Sequence, residues 1–192
     1  MSLACKLYQL NATYINIHSD LIEACKKGDR KAQSRIYKLY SRAMFNICTR
    51  ILGDRDTAED ALQESFVSAF GNIHRFEGRS SFGAWLKRIV VNKCLSMLNK
   101  RKLFSEPLEE NIVDEDTTED RSGGVADLDS RQIHEAIKNL PEGCRVIFTL
   151  YQLEGYDHQE ISEILNVSVS TSKSQFHRAK KLLQDALSPA LR

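Results

Sequence analysis

The chain has 192 residues, 42% of them apolar, with only 9 Gly and 3 Pro. That composition supplies a core for one or two domains and argues for helices over a strand-and-turn protein. The net charge of +1 conceals a segregation of basic and acidic blocks, and it gives no overall basic signature of DNA binding.

Five scattered cysteines without a CxxC argue against a disulfide framework or a zinc site and for a reducing cytosol. No apolar run nears the ~18 residues that a membrane span needs. The start of the chain shows no signal-peptide pattern. The expectation is a cytoplasmic protein with no direct membrane insertion.

Residues 1–19 have no clear period and read as an N-terminal tail. Asp20 is expected to cap a short helix, Leu21 to Lys27, that stops at Gly28. Arg30 to Leu52 is the next helix, with Ala32, Ile36, Tyr40, Ala43, Ile47 and Ile51 at three- and four-residue spacing. Asp54 or Asp56 opens a third. Its buried stripe is Leu62, Phe66, Phe70 and Ile73, leaving Asp60, Gln63 and Glu64 on the wet face. No His or Cys joins those carboxylates at ligand spacing, so neither a metal nor a cofactor is expected.

Gly71 to Ser81 reads as a loop, and Ser80 or Ser81 caps a long helix from Phe82 to about Lys102. Phe82, Leu86, Ile89, Val90 and Leu98 form its apolar side. Gly78 to Lys102 carries seven Lys/Arg, no Asp or Glu, and the chain's only tryptophan, Trp85. Such an aromatic beside cations suits stacking on an unpaired base with phosphate held alongside, although a core tryptophan among solubilising charges fits the spacing equally well. Residues 105–129 then hold ten acids, one arginine, Pro107 and Gly123-Gly124. They read as an extended acidic linker.

Leu128 to Leu140 is helical, with Ile133, Ala136, Ile137 and Leu140 on one side. Pro141 suits a first helical turn, and Arg145 to Leu153 forms a further helix ended by Gly155. Asp157 and Glu160 make a capping pattern for a helix that Asn166 ends. Ser168 or Ser170 caps a last helix to about Leu187. From Ile164 to Gln184 every charge is positive. The final pair is a helix-turn-helix candidate whose second helix suits the major groove.

Taken together, these segments resemble a bacterial RNA polymerase sigma factor of the extracytoplasmic-function (ECF) group of the sigma-70 family. DTAEDALQESFVSAFGNIHRF resembles the core-polymerase-binding helix, GRSSFGAWLKRIVVNKCLSMLNKRK the promoter-melting segment, and LPEGCRVIFTLYQLEGYDHQEISEILNVSVSTSKSQFHRAKKLL the promoter-reading domain. The resemblance implies an all-α protein, not an enzyme, in four parts: a tail at 1–19, sigma region 2 at 20–103, a flexible acidic linker at 104–127, and sigma region 4 with its helix-turn-helix at 128–189. It also implies partners: core RNA polymerase, promoter DNA and an anti-sigma protein.

Roles follow by position. Asp60, Gln63 and Glu64 match the face that meets the polymerase. His74, Arg75, Phe76, Arg79, Ser80 and Ser81 match the loop that captures a flipped −10 base, and Trp85, Lys87, Arg88, Asn92 and Lys93 the helix beside the melted strand. Thr171, Lys173, Ser174, Gln175, His177, Arg178 and Lys181 match the −35-reading helix. Two departures stand out. Ser172 replaces a usual aliphatic residue and should weaken packing slightly, and Gln175 replaces a common arginine, which removes one phosphate partner or swaps it for adenine reading.

Two other readings remain at this point. A stand-alone helix-turn-helix regulator explains residues 157–187 but neither the acidic helix nor the Gly78–Lys102 block. A helical scaffold or carboxylate metalloenzyme lacks His or Cys at ligand spacing.

Overall fold

The computed structural model describes residues 18–104 and 130–188, which form eight α-helices and, among the described residues, no strand. The expected tail and nearly all of the acidic linker lie outside them. The chain divides into two compact units between Lys100 and Arg101.

The first unit holds α1 (Ser19–Lys26), α2 (Arg30–Leu52), α3 (Arg55–Gly71), a 3-10 turn (Ile73–Arg75) and most of α4 (Phe82–Phe104). Helix α1 begins one residue before Asp20, which therefore sits in the first turn; its carboxylate suits the helix dipole there without capping. Asp29 caps α2, accepting from Lys31 N at 2.7 Å. Gly53 ends that helix at φ 74°, a conformation that a side chain would strain. Asp54, not Asp56, caps α3 through Thr57 N at 2.9 Å.

The core of this unit is built by α2, α3 and α4, with Ile36, Ile51, Phe82, Leu86 and Val90 almost wholly enclosed. Two stripe residues differ from expectation. Ala43 is exposed, because Met44 continues the four-residue step from Ile36 and Tyr40. Phe70 is only half-buried.

The second unit holds α5 (Ser130–Lys138), α6 (Glu142–Phe148), a π-helical turn (Thr149–Leu153), α7 (His158–Leu165) and α8 (Val169–Leu187). Helix α8 packs on α5, α6 and α7 and is the hub. Ile137, Leu140, Cys144, Ala179 and Leu183 form its apolar seam. Ile133 stands 37% exposed, contrary to the expected stripe, since α5 turns Ala136 and Ile137 inward instead, with Leu140 buried just beyond its end. Pro141 is the N-cap of α6, one position before the first turn, so this helix starts earlier than expected.

The turn between α7 and α8 follows the local chemistry closely. Asp157 accepts from Glu160 N at 2.7 Å while Glu160 Oε2 accepts from Asp157 N at 2.9 Å, a reciprocal capping box. Asn166 takes φ 53°, ψ 47° and ends α7. Ser168 Oγ then accepts from Thr171 N at 3.0 Å and starts α8.

Candidate nucleic-acid and protein interfaces

Each unit presents the cationic surface that the sequence singled out. In the first, Ser81 caps α4 by accepting from Ala84 N at 3.2 Å. The cap sets the register that puts Trp85, Arg88 and Asn92 on one side of the helix at i, i+3 and i+7. Arg88 and Asn92 are exposed and Trp85 is half-buried.

The support beneath Trp85 is aromatic. Its ring lies 5.5 Å from both Phe76 and Phe82, which are themselves 5.5 Å apart at 87°. Tyr40 meets Phe82 from α2 at 5.4 Å. Gly83 lies under that tyrosine, where an added Cβ would sit 3.2 Å from Cε1. Phe76 is 7% exposed. Its ring is therefore largely enclosed by protein and packs against Trp85.

The approach to Trp85 is polar. His74 and Arg75 are exposed on the 3-10 turn. Gly78, at φ 73°, turns the chain so that Arg79 Nε pairs with Glu77 Oε2 at 2.6 Å. Ser80 and Ser81 are exposed beside it. Lys87 differs from its neighbours: it falls on the packed side of α4, half-buried and engaged within the protein. Lys93 is half-buried on the flank nearest α3.

On α3, Asp60, Gln63 and Glu64 are all exposed, and Val67 extends the same face at 74% exposure. The structure thus brings the three expected residues together. It also shows a link absent from the sequence reading: Lys93 Nζ donates to Glu64 Oε2 at 2.8 Å. The hydrogen bond and charge of Lys93 hold the Glu64 carboxyl below its ordinary range.

In the second unit, Lys173, Ser174, His177, Arg178 and Lys181 are exposed along α8, and Thr171 is half-exposed at its first turn. The helix offers a cationic outer side with its N-terminal end free of acids. Gln175 is turned toward the interior, where its Oε1 accepts from the Cys144 thiol at 3.0 Å. That carbonyl is engaged, so bidentate reading of adenine would first have to break the bond.

Ser172 is fully buried, and the position is packed in a way the sequence did not reveal. Its Oγ is 2.9 Å from His158 Nδ1. The imidazole stacks on Tyr151 at 4.3 Å and meets Phe176 at 5.8 Å. Burial, then the nearby Lys173 charge, lower the His158 pKa, with Asp157 opposing. A histidine at the first position of α7 thus holds the first turn of α8 from below.

Among the described residues no group of three or more His, Cys, Asp or Glu side chains is placed to hold a metal ion. No described helix is long and apolar enough to cross a membrane. The Cys94 thiol is hydrogen-bonded to Cys48 in the core, and that bond together with burial pushes its pKa strongly up, which leaves it unreactive.

Comparison with known proteins covers both units. Residues 36–104 match the family described as Sigma-70 region 2, and residues 130–183 match Sigma-70, region 4. The chain is 31% identical over 183 residues to the ECF RNA polymerase sigma-E factor of Haemophilus influenzae, covering 89% of this chain and 95% of that one. It is 30% identical over 183 residues to the ECF RNA polymerase sigma factor SigW of Bacillus subtilis, covering 86% and 94%. The fold is shared with the sigma factor RpoE of Bartonella quintana, solved in complex with the anti-sigma factor NepR, at TM-score 0.54 and 23% identity, covering 81% of this chain and 96% of that one.

Proposed function

The chain belongs to the ECF group of the sigma-70 family of RNA polymerase sigma factors, and we propose that its two units divide promoter recognition between unpaired and duplex DNA. As a sigma factor it directs core RNA polymerase to specific promoters and promotes DNA melting at initiation. The single observation that carries the division is the contrast in the two surfaces. One is a half-exposed tryptophan on an aromatic bed, and the other is a row of cations on a helix-turn-helix.

In this reading Trp85 stacks on an unpaired −10 base, Arg88, Asn92 and Lys93 hold the strand beside it, and His74, Arg75 and Arg79–Ser81 line the capture loop. Phe76 and Lys87 act from behind, as supports. Binding the melted state more tightly than duplex favours melting, with no chemistry required of the protein. The polymerase supplies the catalysis. Lys173, Ser174, His177, Arg178 and Lys181, with Thr171 at the helix start, meet the −35 duplex in the major groove. Gln175 spaces α8 from α6 through Cys144.

The exposed Asp60–Gln63–Glu64 face docks on the polymerase. The site of action is the cytoplasm, and the regulatory partner is an anti-sigma protein that covers these same surfaces, as a sigma factor of this fold is found with one. The test is run-off transcription by purified bacterial core polymerase on a fragmented library of the source genome. Protein-dependent transcripts sharing a two-part upstream element are the expected result. No transcript, with no co-elution of the protein with core enzyme, would overturn the reading.

A further inference from the structure

Glu64 and Lys93 belong to the two surfaces that the proposed function assigns to different partners. Glu64 faces outward from α3 with Asp60 and Gln63, while Lys93 follows Asn92 on α4. The 2.8 Å bond between Lys93 Nζ and Glu64 Oε2 spans 29 positions of sequence and joins the two faces directly. The lysine side chain is 30% exposed and the glutamate 55%. An exposed pair of this kind biases its partners by a factor of only about 1.4–5. It is weak enough to exchange when a better partner arrives.

Both groups are wanted elsewhere. A phosphate that approaches Lys93 while it is paired meets the Glu64 carboxylate at the same spot. A cation that approaches Glu64 meets the Lys93 ammonium. Each partner therefore gains when the other has already broken the pair.

We propose that the Glu64–Lys93 pair is an exchange latch: a Lys or Arg of the docking polymerase takes over Glu64, and the freed Lys93 ammonium turns to a phosphate of the unpaired strand. This rests on assigning the α3 face to polymerase and Lys93 to the melted strand. The coupling is reciprocal, so strand binding tightens polymerase docking by the same factor. The chemistry of the partner group follows from the face, where Asp60 and Glu64 are acidic and the neighbouring Gln63 is neutral.

The test is a double-mutant cycle on the full chain, with Glu64→Gln, Lys93→Gln and the double variant. The probe is a labelled oligo(dT) single strand at low salt, read by fluorescence anisotropy. Glu64→Gln should tighten binding about threefold and steepen the salt slope by up to ~0.7, one phosphate's share for a single strand. In the Lys93→Gln background the same change should alter binding less than about 1.5-fold, since little remains to release. With saturating core polymerase, the difference between wild type and Glu64→Gln should vanish.

An equal gain in both backgrounds would mean that Glu64 acts only as a repelling charge, and the latch fails while the docking and DNA assignments stand. A gain that persists at saturating polymerase removes the exchange step. Lys93→Gln without effect in either background removes Lys93 from the DNA surface, which overturns that part of the proposed function and the latch with it.

Discussion

In the proposed function the helices α4 and α8 both present cations to nucleic acid, but they are held in opposite ways. Under α4 the support is a set of aromatic rings, Phe76, Phe82 and Tyr40, with Trp85 as the half-exposed member. Under α8 two of the supports are polar: Ser172 on His158, and Gln175 on Cys144. An aromatic bed responds chiefly to volume. A polar seam loses little when small groups change, but it responds to protonation and to any orphaned partner. The difference suits the tasks proposed for them: an unpaired base needs a rigid stacking plane, whereas a duplex-reading helix needs an orientation that hydrogen bonds specify.

The largest effect that breaks the comparison is removal of the shared ring. Phe82→Ala deletes a side chain 2% exposed that touches Tyr40, Phe76 and Trp85. It should cost about 3–5 kcal/mol of first-unit stability. Trp85 is the chain's only tryptophan, so its fluorescence in a urea titration reads this unit alone. A loss under ~1 kcal/mol, well below the usual range for a buried phenylalanine, would show that the aromatic bed is not the support described.

Function should separate next. Trp85→Ala should reduce open-complex formation roughly 5- to 160-fold, the range of one lost base stack of ~1–3 kcal/mol, and leave binding to −35 duplex unchanged. Trp85→Phe should restore most of it. Arg178→Ala should do the converse, weakening duplex binding and flattening its salt slope by about 0.9. Permanganate footprinting and duplex binding by the holoenzyme distinguish the two. Equal losses on both probes for both variants would dissolve the division of labour.

A smaller effect tests the polar seam. Ser172→Ala leaves His158 Nδ1 without its partner and should cost about 1 kcal/mol. Adding His158→Phe removes the orphaned nitrogen and should recover part of that loss, as replacing both partners by apolar groups often does. Additive losses in the double variant, measured by urea denaturation, would show that the two side chains are not coupled.

What was legible in the sequence was mainly local. Asp54, Ser81, Asp157 with Glu160, Asn166 and Ser168 sit at helix ends because each satisfies backbone groups within three or four residues. The cationic outer side of α8 and the acidic face of α3 were equally readable, as both follow helical spacing. The contacts that shape the sites were not. Ser172 meets His158 across 14 positions, Lys93 meets Glu64 across 29, and Gln175 meets Cys144 across 31. No periodicity encodes such pairs. Phe76 illustrates the consequence: the resemblance placed it in the loop by position, and only the structure shows that the return of α4 encloses its ring.

The smallest expected effect is also the sharpest discriminator between the two supports, because only under α8 does an imidazole hydrogen-bond the helix it supports. His158 faces Asp157 on its own element and Lys173 on α8, with the neutral Ser172, Tyr151 and Phe176 around the ring. Burial first, and Lys173 second, lower its pKa below the ordinary 6.5. The folded state then declines a proton that the unfolded chain accepts. Stability of the second unit is therefore full above the ordinary value and falls as pH drops below it, levelling once the folded-state pKa is passed. Urea midpoints by tyrosine fluorescence at descending pH should show this decline, and His158→Phe should remove it relative to wild type. Lys173→Ala, which takes away one cause of the depression, should make the decline shallower without abolishing it. The Trp85 signal of the first unit should show no part of the His158-dependent difference. If His158→Phe leaves the pH profile of the second unit unchanged, the imidazole is not a working part of the seam, and the contrast between the two helices reduces to packing alone.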